Sequence, residues 1–431
     1  MKTKLTRRAF LQRATLTAAA GCWIGQPTRA RMFGANDRLN IGMIGVAGRA
    51  AANLEAVSGE NVVAICDVDS GSLATAALKH PKAWKYEDFR HVIDRNDLDA
   101  IVIATPDHTH AVAAAAALRS GKHVYCEKPL TRTISEARVI QDLAREQRRV
   151  TQIGTQIHAG NNYRRTVELV QSGAIGAIRE VHVWVAATYG GADAPTDTPP
   201  VPENLNWDLW LGPVPYQPYS PEYAPFKWRN WWAFGGGALA DFGCHFMDLP
   251  HWALDLRTPV SAEVVDGPPV HAHSTPPWLV VRYEHAARGD KPPVSLTWYH
   301  GGKRPELDLP AEEAAKWGSG VLFVGEKGQI LADYGRNRLL PDKDFEGFKR
   351  PEPFIPNSIG HHLEWIEACK TGGPTTCAFD YSGPLTETAL LGNVAFRAGK
   401  KIDWNTAKLI AANCPEADAF IQHRYRAGWS L

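Results

Sequence analysis

The strand, glycine turn and helix that begin at Leu39 constrain this chain's fold most. Leu-Asn-Ile-Gly-Met-Ile-Gly-Val-Ala-Gly-Arg-Ala, residues 39–50, runs an apolar strand into Gly45 and on into an Ala-rich helical stretch. Asn61-Val-Val-Ala-Ile-Cys-Asp67 is a second apolar strand, ending in an acid 22 residues after Gly45. Residues 99–106 and 121–129 supply two more short apolar strands, separated by a helical stretch. Repeated βα units of this kind build a parallel sheet. Its carboxyl edge, where ligands bind, here carries Thr105, Pro106, Glu127 and Lys128.

A glycine turn at a helix N-terminus cradles a pyrophosphate, and an acid about 20 residues further on accepts hydrogen bonds from an adenosine ribose. The three glycine slots of that turn read Gly45, Ala47 and Ala50, with Gly48 beside the second, so the turn alone is a weak signal. Alanine is tolerated at the third slot. At the second its methyl crowds the pyrophosphate, and Gly48 is expected to relieve part of the strain. Asp67 and Asp69 both repel a ribose 2′-phosphate, and no arginine follows the first, which favours NAD over NADP.

The chain has 431 residues, 44% hydrophobic and 22% charged, enough for two domains with separate cores. Net charge is +1 with basic residues dispersed, which gives no footprint for nucleic acid or an anionic membrane. A small molecule is the expected partner. Tryptophans are frequent between Trp207 and Trp252, where they suit either a sugar-like ligand or an irregular core. Residues 189–235 hold nine prolines, predicting a long ordered loop packed over the site or a surface decoration.

Thr6-Arg7-Arg8-Ala9-Phe10-Leu11-Gln12, followed by a small-residue apolar run to Ile24, reads as a twin-arginine export signal over residues 1–33. The run is too short for a permanent span, so the expectation is a soluble periplasmic protein delivered by the twin-arginine machinery. Ala20-Gly21-Cys22 is a weak lipoprotein-type alternative, and a fortuitous Arg-Arg before an Ala-rich helix is another reading. The other six cysteines show no C-x-x-C spacing and read as buried small residues, with Cys369 and Cys377 the one pair left open.

Gly-Gly-Gly-Ala-Leu-Ala-Asp-Phe-Gly-Cys-His-Phe-Met-Asp, residues 235–248, spaces Asp241, His245 and Asp248 by four and three, predicting one helix face. A carboxylate one turn from an imidazole suits a proton relay. The same pattern also fits a buried histidine satisfied by its neighbour, or a metal site. His361-His362 lacks the H-E-x-x-H spacing, and no required metal is expected.

Ala-Thr-Pro-Asp-His-Thr-His110, Glu127-Lys128-Pro129 and Gly-x-Leu-x-Asp241-x-Gly-Cys-His245-x-x-Asp248 together resemble the glucose–fructose oxidoreductase / inositol dehydrogenase (Gfo/Idh/MocA) family, from about Leu39 to the C-terminus. Residues 358–365, 391–397 and 425–429 resemble its exported branch. The resemblance implies an α/β protein: a Rossmann doubly wound parallel sheet over residues 38–155, and an α/β domain over 156–431 with an open, largely antiparallel sheet. One face of that sheet would be covered by helices, and the other would serve a homodimer or homotetramer. Amphipathic sequence at 163–172 and an apolar run at 178–185 predict the helix and strand that open the second domain.

The resemblance also implies NAD as cofactor and a sugar or cyclitol as substrate. Lys128 would contact the reacting hydroxyl and the nicotinamide ribose, His245 would act as general base, and Asp241 would orient it. Gly45, Ala47, Gly48, Arg49 and Asp67 would hold the cofactor, with Thr105, Pro106, His110, Glu127, Lys128 and Gln156 completing its site. His158, Arg164, Trp228, Arg229 and His300 are the candidate substrate contacts. Export makes NAD exchange on each turnover costly. The cofactor would therefore be retained and reoxidised by a second sugar or carbonyl, or each turnover would be redox-neutral, as in an NAD-retaining glycoside hydrolase, lyase or epimerase. Asp241-Phe-Gly-Cys-His245 replaces the Thr-His-Gly type turn of the related α-N-acetylgalactosaminidases, so their activity does not transfer. Ala47 and Ala50 motivate a third reading, a non-catalytic sugar-binding protein.

Overall fold

A computed structural model of the protein describes residues 37–431. The Arg7-Arg8 segment expected to be an export signal, with Cys22, lies outside the described residues. No helix among the described residues is long and apolar enough to cross a membrane.

Six parallel strands form the first sheet: β1 (Asn40–Ile44), β2 (Asn61–Cys66), β3 (Trp84–Tyr86), β4 (Ala100–Ile103), β5 (His123–Cys126) and β6 (Thr151–Ile153). Their order is β3-β2-β1-β4-β5-β6, with the reversal between β1 and β4 that defines a doubly wound sheet. β4 is buried at all four positions because helices cover both faces. Gly42 keeps β1 close to its neighbours, since a Cβ there would lie 2.8 Å from Ile101 and from Val92.

The second sheet has nine strands: β7 (Ile178–Val185), β8 (Ser261–Asp266), β9 (Leu279–His285), β10 (Val294–His300), β11 (Gly320–Gly325), β12 (Gly328–Ala332), β13 (Asn337–Leu340), β14 (Ile402–Asn405) and β15 (Ile410–Ala411). The order is β13-β12-β11-β7-β10-β9-β8-β14-β15, and only β7 with β10 is parallel. The predicted strand at 178–185 is β7, and the predicted helix at 163–172 spans Asn161–Gln171. β10 alternates buried and half-buried residues, so one face meets the core while the other carries Ser295, Thr297 and Tyr299.

The C-terminal segment returns to the first sheet. Cys377 and Phe379 are fully buried in that sheet's core, and Ile153 donates its backbone N–H to the Cys377 carbonyl at 3.0 Å. Cys369 and Cys377 are both free thiols, which closes the pairing left open by the sequence. The Pro-rich segment is packed rather than decorative. Trp207, Trp210, Trp228, Trp231 and Phe234 form its own aromatic core. Backbone hydrogen bonds from Ser70 to Asn204 (2.8 Å) and from Asn206 to Val68 (2.9 Å) tie it to the edge of the first sheet.

The helix Phe379–Ala398 packs on the second sheet through Gly392, where a Cβ would fall 2.1 Å from the Tyr283 hydroxyl on β9. Gly392→Ala is expected to cost about 1–3 kcal/mol by overpacking. Gly59→Ala, with open space at that position, is expected to stay within about 0.5 kcal/mol. Urea denaturation of both variants measures the difference.

Candidate active site

The carboxyl edge of the first sheet opens into a cavity of about 610 Å³. At one end Gly45 adopts φ +87°, and a Cβ there would meet the Ala104 carbonyl at 2.5 Å. Gly48 takes φ +55° as N-cap of the helix Arg49–Ala56, so the conformational demand of the turn falls on it, beside Ala47. No side chain caps that helix, which leaves its N-terminal end open to an anion. Asp67 accepts from the backbone N–H of Val46 and of Asp69, both at 3.0 Å, one bond to each oxygen. Burial raises its pKa, and these backbone bonds oppose the rise. Each oxygen keeps a lone pair for a ribose hydroxyl. A bare helix end, a turn only glycine fits and a fixed carboxylate together suit an adenine dinucleotide.

Glu127 follows β5 and ties the middle of the cavity together. Its Oε1 accepts from Asn53 (2.9 Å), Gln156 (2.9 Å) and Arg49 (3.2 Å), while its buried Oε2 has no protein partner. Gly154 makes room for it, because a Cβ there would lie 2.4 Å from that oxygen. Pro106 caps the helix Asp107–Arg119, and the Thr105 hydroxyl accepts from Thr109 at 2.7 Å.

At the far end Lys128 donates to Asp241 Oδ1 in an ion pair between two largely buried side chains. Asp241 Oδ2 accepts from the Tyr189 hydroxyl at 3.2 Å and lies 3.2 Å from Arg229 Nε. Burial favours the neutral acid, but Lys128 and Arg229 outweigh it and hold Asp241 at about 2. His245, one turn along the helix Gly237–Phe246, lines the same cavity. Its Nδ1 is buried with no hydrogen-bond partner. Burial, reinforced by the Lys128 charge, pushes this imidazole well below its ordinary value, so it is neutral at physiological pH.

Two expectations for this helix need correction. Asp241 does not hold the His245 ring, because its oxygens are taken by Lys128, Arg229 and Tyr189 from neighbouring segments. Asp248 does not share the helix with the other two. Pro250 lacks the N–H that would continue the ladder to Phe246, and a new helix, Asp248–Leu254, starts there. Asp248 instead accepts from His158 Nδ1 at 3.0 Å and from the Tyr381 hydroxyl at 2.6 Å.

Gly45, Ala47, Gly48, Arg49, Asp67, Thr105, Pro106, Glu127, Lys128 and Gln156 all line the cavity, as do Trp228 and Arg229, whose guanidinium lies 4.0 Å from the Trp228 ring centre. Four expected contacts do not. His110 sits behind the wall with its ring nitrogens 2.8 Å from the Pro129 and Thr105 carbonyls, so it clamps the two loops rather than touching a ligand. His158 is stacked on Trp252 and spent on Asp248. Arg164 donates to the Pro356 carbonyl (2.6 Å) and to Glu364 (2.8 Å). His300 is a core residue on β10, accepting from the Trp298 indole at 2.9 Å, and burial lowers it to about 4.

Sequence reasoning missed two residues of this site. Asp107 lines the cavity fully buried, with Oδ1 unpartnered, and burial raises its pKa well above the usual carboxylate range. Its place in the first turn of a helix reads as a simple dipole contact, which hides it. Tyr189, just past β7, carries no spacing signal at all. Among the described residues His158, Asp248 and Cys377 are the one set of three side chains close enough to share a metal ion. That set is not at the Asp241–His245 helix turn.

Comparison with known proteins agrees with this geometry. Residues 39–155 match the family model described as oxidoreductase family, NAD-binding Rossmann fold, and residues 164–290 match its C-terminal alpha/beta domain. Inositol 2-dehydrogenase of Salmonella typhimurium is 36% identical over 147 residues, covering 33% of this chain and 43% of that protein. Levoglucosan dehydrogenase of Pseudarthrobacter phenanthrenivorans is 30% identical over 206 residues, 46% of this chain and 44% of that protein. The matched region is thus less than half the length of either relative. In fold, levoglucosan dehydrogenase in complex with NADH and levoglucosan superposes with a TM-score of 0.57 at 20% identity, covering 85% of this chain and 99% of that one. Aldose-aldose oxidoreductase from Caulobacter crescentus gives 0.57 at 16% identity, covering 85% and 100%. With both family domains in sequence order and the turn, ribose acid, Lys128 and His245 lining one cavity, the chain belongs to the Gfo/Idh/MocA family of NAD-binding oxidoreductases.

Proposed function

We propose that this protein oxidises a secondary hydroxyl of a sugar or cyclitol. The observation that carries the reading is the meeting of an ion-paired lysine and a neutral, half-buried histidine in the cavity that begins at Gly45 and Asp67. NAD, when bound, supplies the hydride acceptor. Lys128 places a cation where the hydroxyl oxygen gains alkoxide character. Asp241 holds that lysine in place through the ion pair, itself steadied by Arg229 and Tyr189. His245, neutral through burial, receives the hydroxyl proton. The Arg229 guanidinium, stacked over the Trp228 ring, brings hydrogen-bond donors to the cavity wall, suited to the hydroxyls of a pyranose or cyclitol ring.

We also propose that the chain is exported by the twin-arginine route, on the strength of Arg7-Arg8 and the apolar run after them. The bond between export and chemistry is the cofactor, which an exported enzyme must keep. Similarity to glycosyl hydrolase family 109 proteins, 31% over 166 residues in Saccharopolyspora erythraea, favours a redox-neutral cycle as the second reading. The polar face of the nine-stranded sheet, with Thr297 and Tyr299, is the surface proposed for a second copy of the chain.

Rapid mixing of NAD-loaded protein with a sugar and cyclitol panel, followed by nicotinamide fluorescence, tests the main reading. Lys128→Ala is expected to slow hydride transfer by about 10²–10³, and His245→Ala by about 10²–10⁴, with unchanged circular dichroism. Near-normal rates in both contradict the assigned roles.

The pH profile gives a separate test. Burial lowers the His245 pKa, so the neutral base persists below pH 6.5 and is lost only as pH falls through the depressed value. The acid limb of kcat/KM for alcohol oxidation is therefore expected below 6.5. A limb at or above that value removes His245 as the base.

A further inference from the structure

A second cavity, of about 230 Å³, lies behind the active site and has a different chemistry. Arg132, Arg397 and His423 line it, and no carboxylate side chain does. Arg132 spends Nη1 on the Trp232 carbonyl at 3.1 Å, while its Nε and Nη2 are buried with no acceptor. Arg397 lies between two rings, 5.0 Å from the Trp232 centre and 4.1 Å from that of Phe420. Neither guanidinium has a carboxylate partner among the described residues. The acid whose charge acts most on Arg132 is Glu136. Its oxygens are already occupied, one by the Tyr425 hydroxyl at 2.6 Å and the other by the Thr133 N–H at 2.9 Å.

Two guanidiniums lining one cavity, with buried N–H groups of Arg132 lacking acceptors, form a costly arrangement unless an anion completes it. His423 adds a further buried nitrogen without a partner, Nε2. Burial, then the charges of Arg132 and Arg397, lower this histidine to about 3, so it adds no third cation. Burial, then Arg132, lowers Arg397 to about 10, which leaves it charged. Thr133, the N-cap of the helix Ile134–Gln147, lines the same cavity and brings the positive end of a helix dipole to it.

We propose that this cavity is an oxyanion site, taking a sulfate, phosphate or carboxylate group between Arg132 and Arg397. Guanidinium forks match planar and tetrahedral oxyanions through paired N–H donors. Occupancy would brace two active-site loops together, since Arg132 lies four residues after Lys128 and Trp232 three after Arg229. The site is independent of the hydride-transfer reading, because none of its four basic residues, Arg132, His273, Arg397 and His423, lines the larger cavity.

The test is isothermal titration of the full chain with sulfate, phosphate and D-glucuronate at chloride-matched ionic strength, with D-glucose as the neutral control. Saturable one-to-one binding of at least one anion, weakened tenfold or more in Arg397→Gln, is the expected result. Similar affinity for all three identifies a free-oxyanion site, and binding of glucuronate alone identifies a carboxylated sugar; both support the proposal. Should Arg397→Gln fail to fold, a crystal of the unaltered protein soaked in selenate provides the second test, with an anomalous peak expected between the two arginines. No saturable binding of any anion, equal binding in the variant, or selenate only elsewhere overturns it.

Discussion

The ion pair between Lys128 and Asp241 joins the loop after β5 to the helix Gly237–Phe246, and so links the edge of one sheet to the helical layer of the other. Neither partner is comfortable alone. Burial penalises the Asp241 carboxylate, and Lys128 and Arg229 together outweigh that penalty. The pair also decides what His245 can be, because a fixed cation nearby, added to burial, keeps the imidazole neutral. One charge arrangement thus places the cation, keeps the imidazole neutral and ties the first sheet to the helix of the second.

The wall behind this pair is built with equal economy. His110 clamps the Thr105 and Pro129 loops through its ring nitrogens, and Glu127 gathers Arg49, Asn53 and Gln156 on a single oxygen. These residues belong to the motifs that look like ligand contacts in sequence. In the fold His110 holds other loops in place, while Glu127 does so and also faces the cavity. The Pro-rich segment plays the complementary part, covering the cavity with residues such as Leu205, Trp210 and Trp228 on an aromatic core of its own.

Local periodicity carried the parallel sheet, because β1, β2, β4 and β5 are short apolar runs separated by turns and helices. β3 was less legible, since Trp84 and Lys85 face solvent at the sheet edge. The Gly45 turn and Asp67 were readable because a backbone conformation and a fixed spacing leave marks in sequence. Asp241 and His245 were readable as a pair but not in their partners, which come from residues 128, 189 and 229 and meet only in three dimensions. His158, Arg164 and His300 misled for the opposite reason. Polar residues near a motif invite a ligand reading, yet each is engaged by other groups of the protein. Pro250 was the overlooked local signal, since it ends the helical run before Asp248 can join it.

The central claim is that the Gly45–Asp67 end of the cavity holds NAD, with Lys128 and His245 at the reacting end. Native mass spectrometry of the protein titrated with NAD and with NADP tests it most directly. One NAD per chain, bound in preference to NADP because Asp67 and Asp69 meet the ribose edge, is the predicted result. Absence of both adducts, or a preference for NADP, contradicts the account.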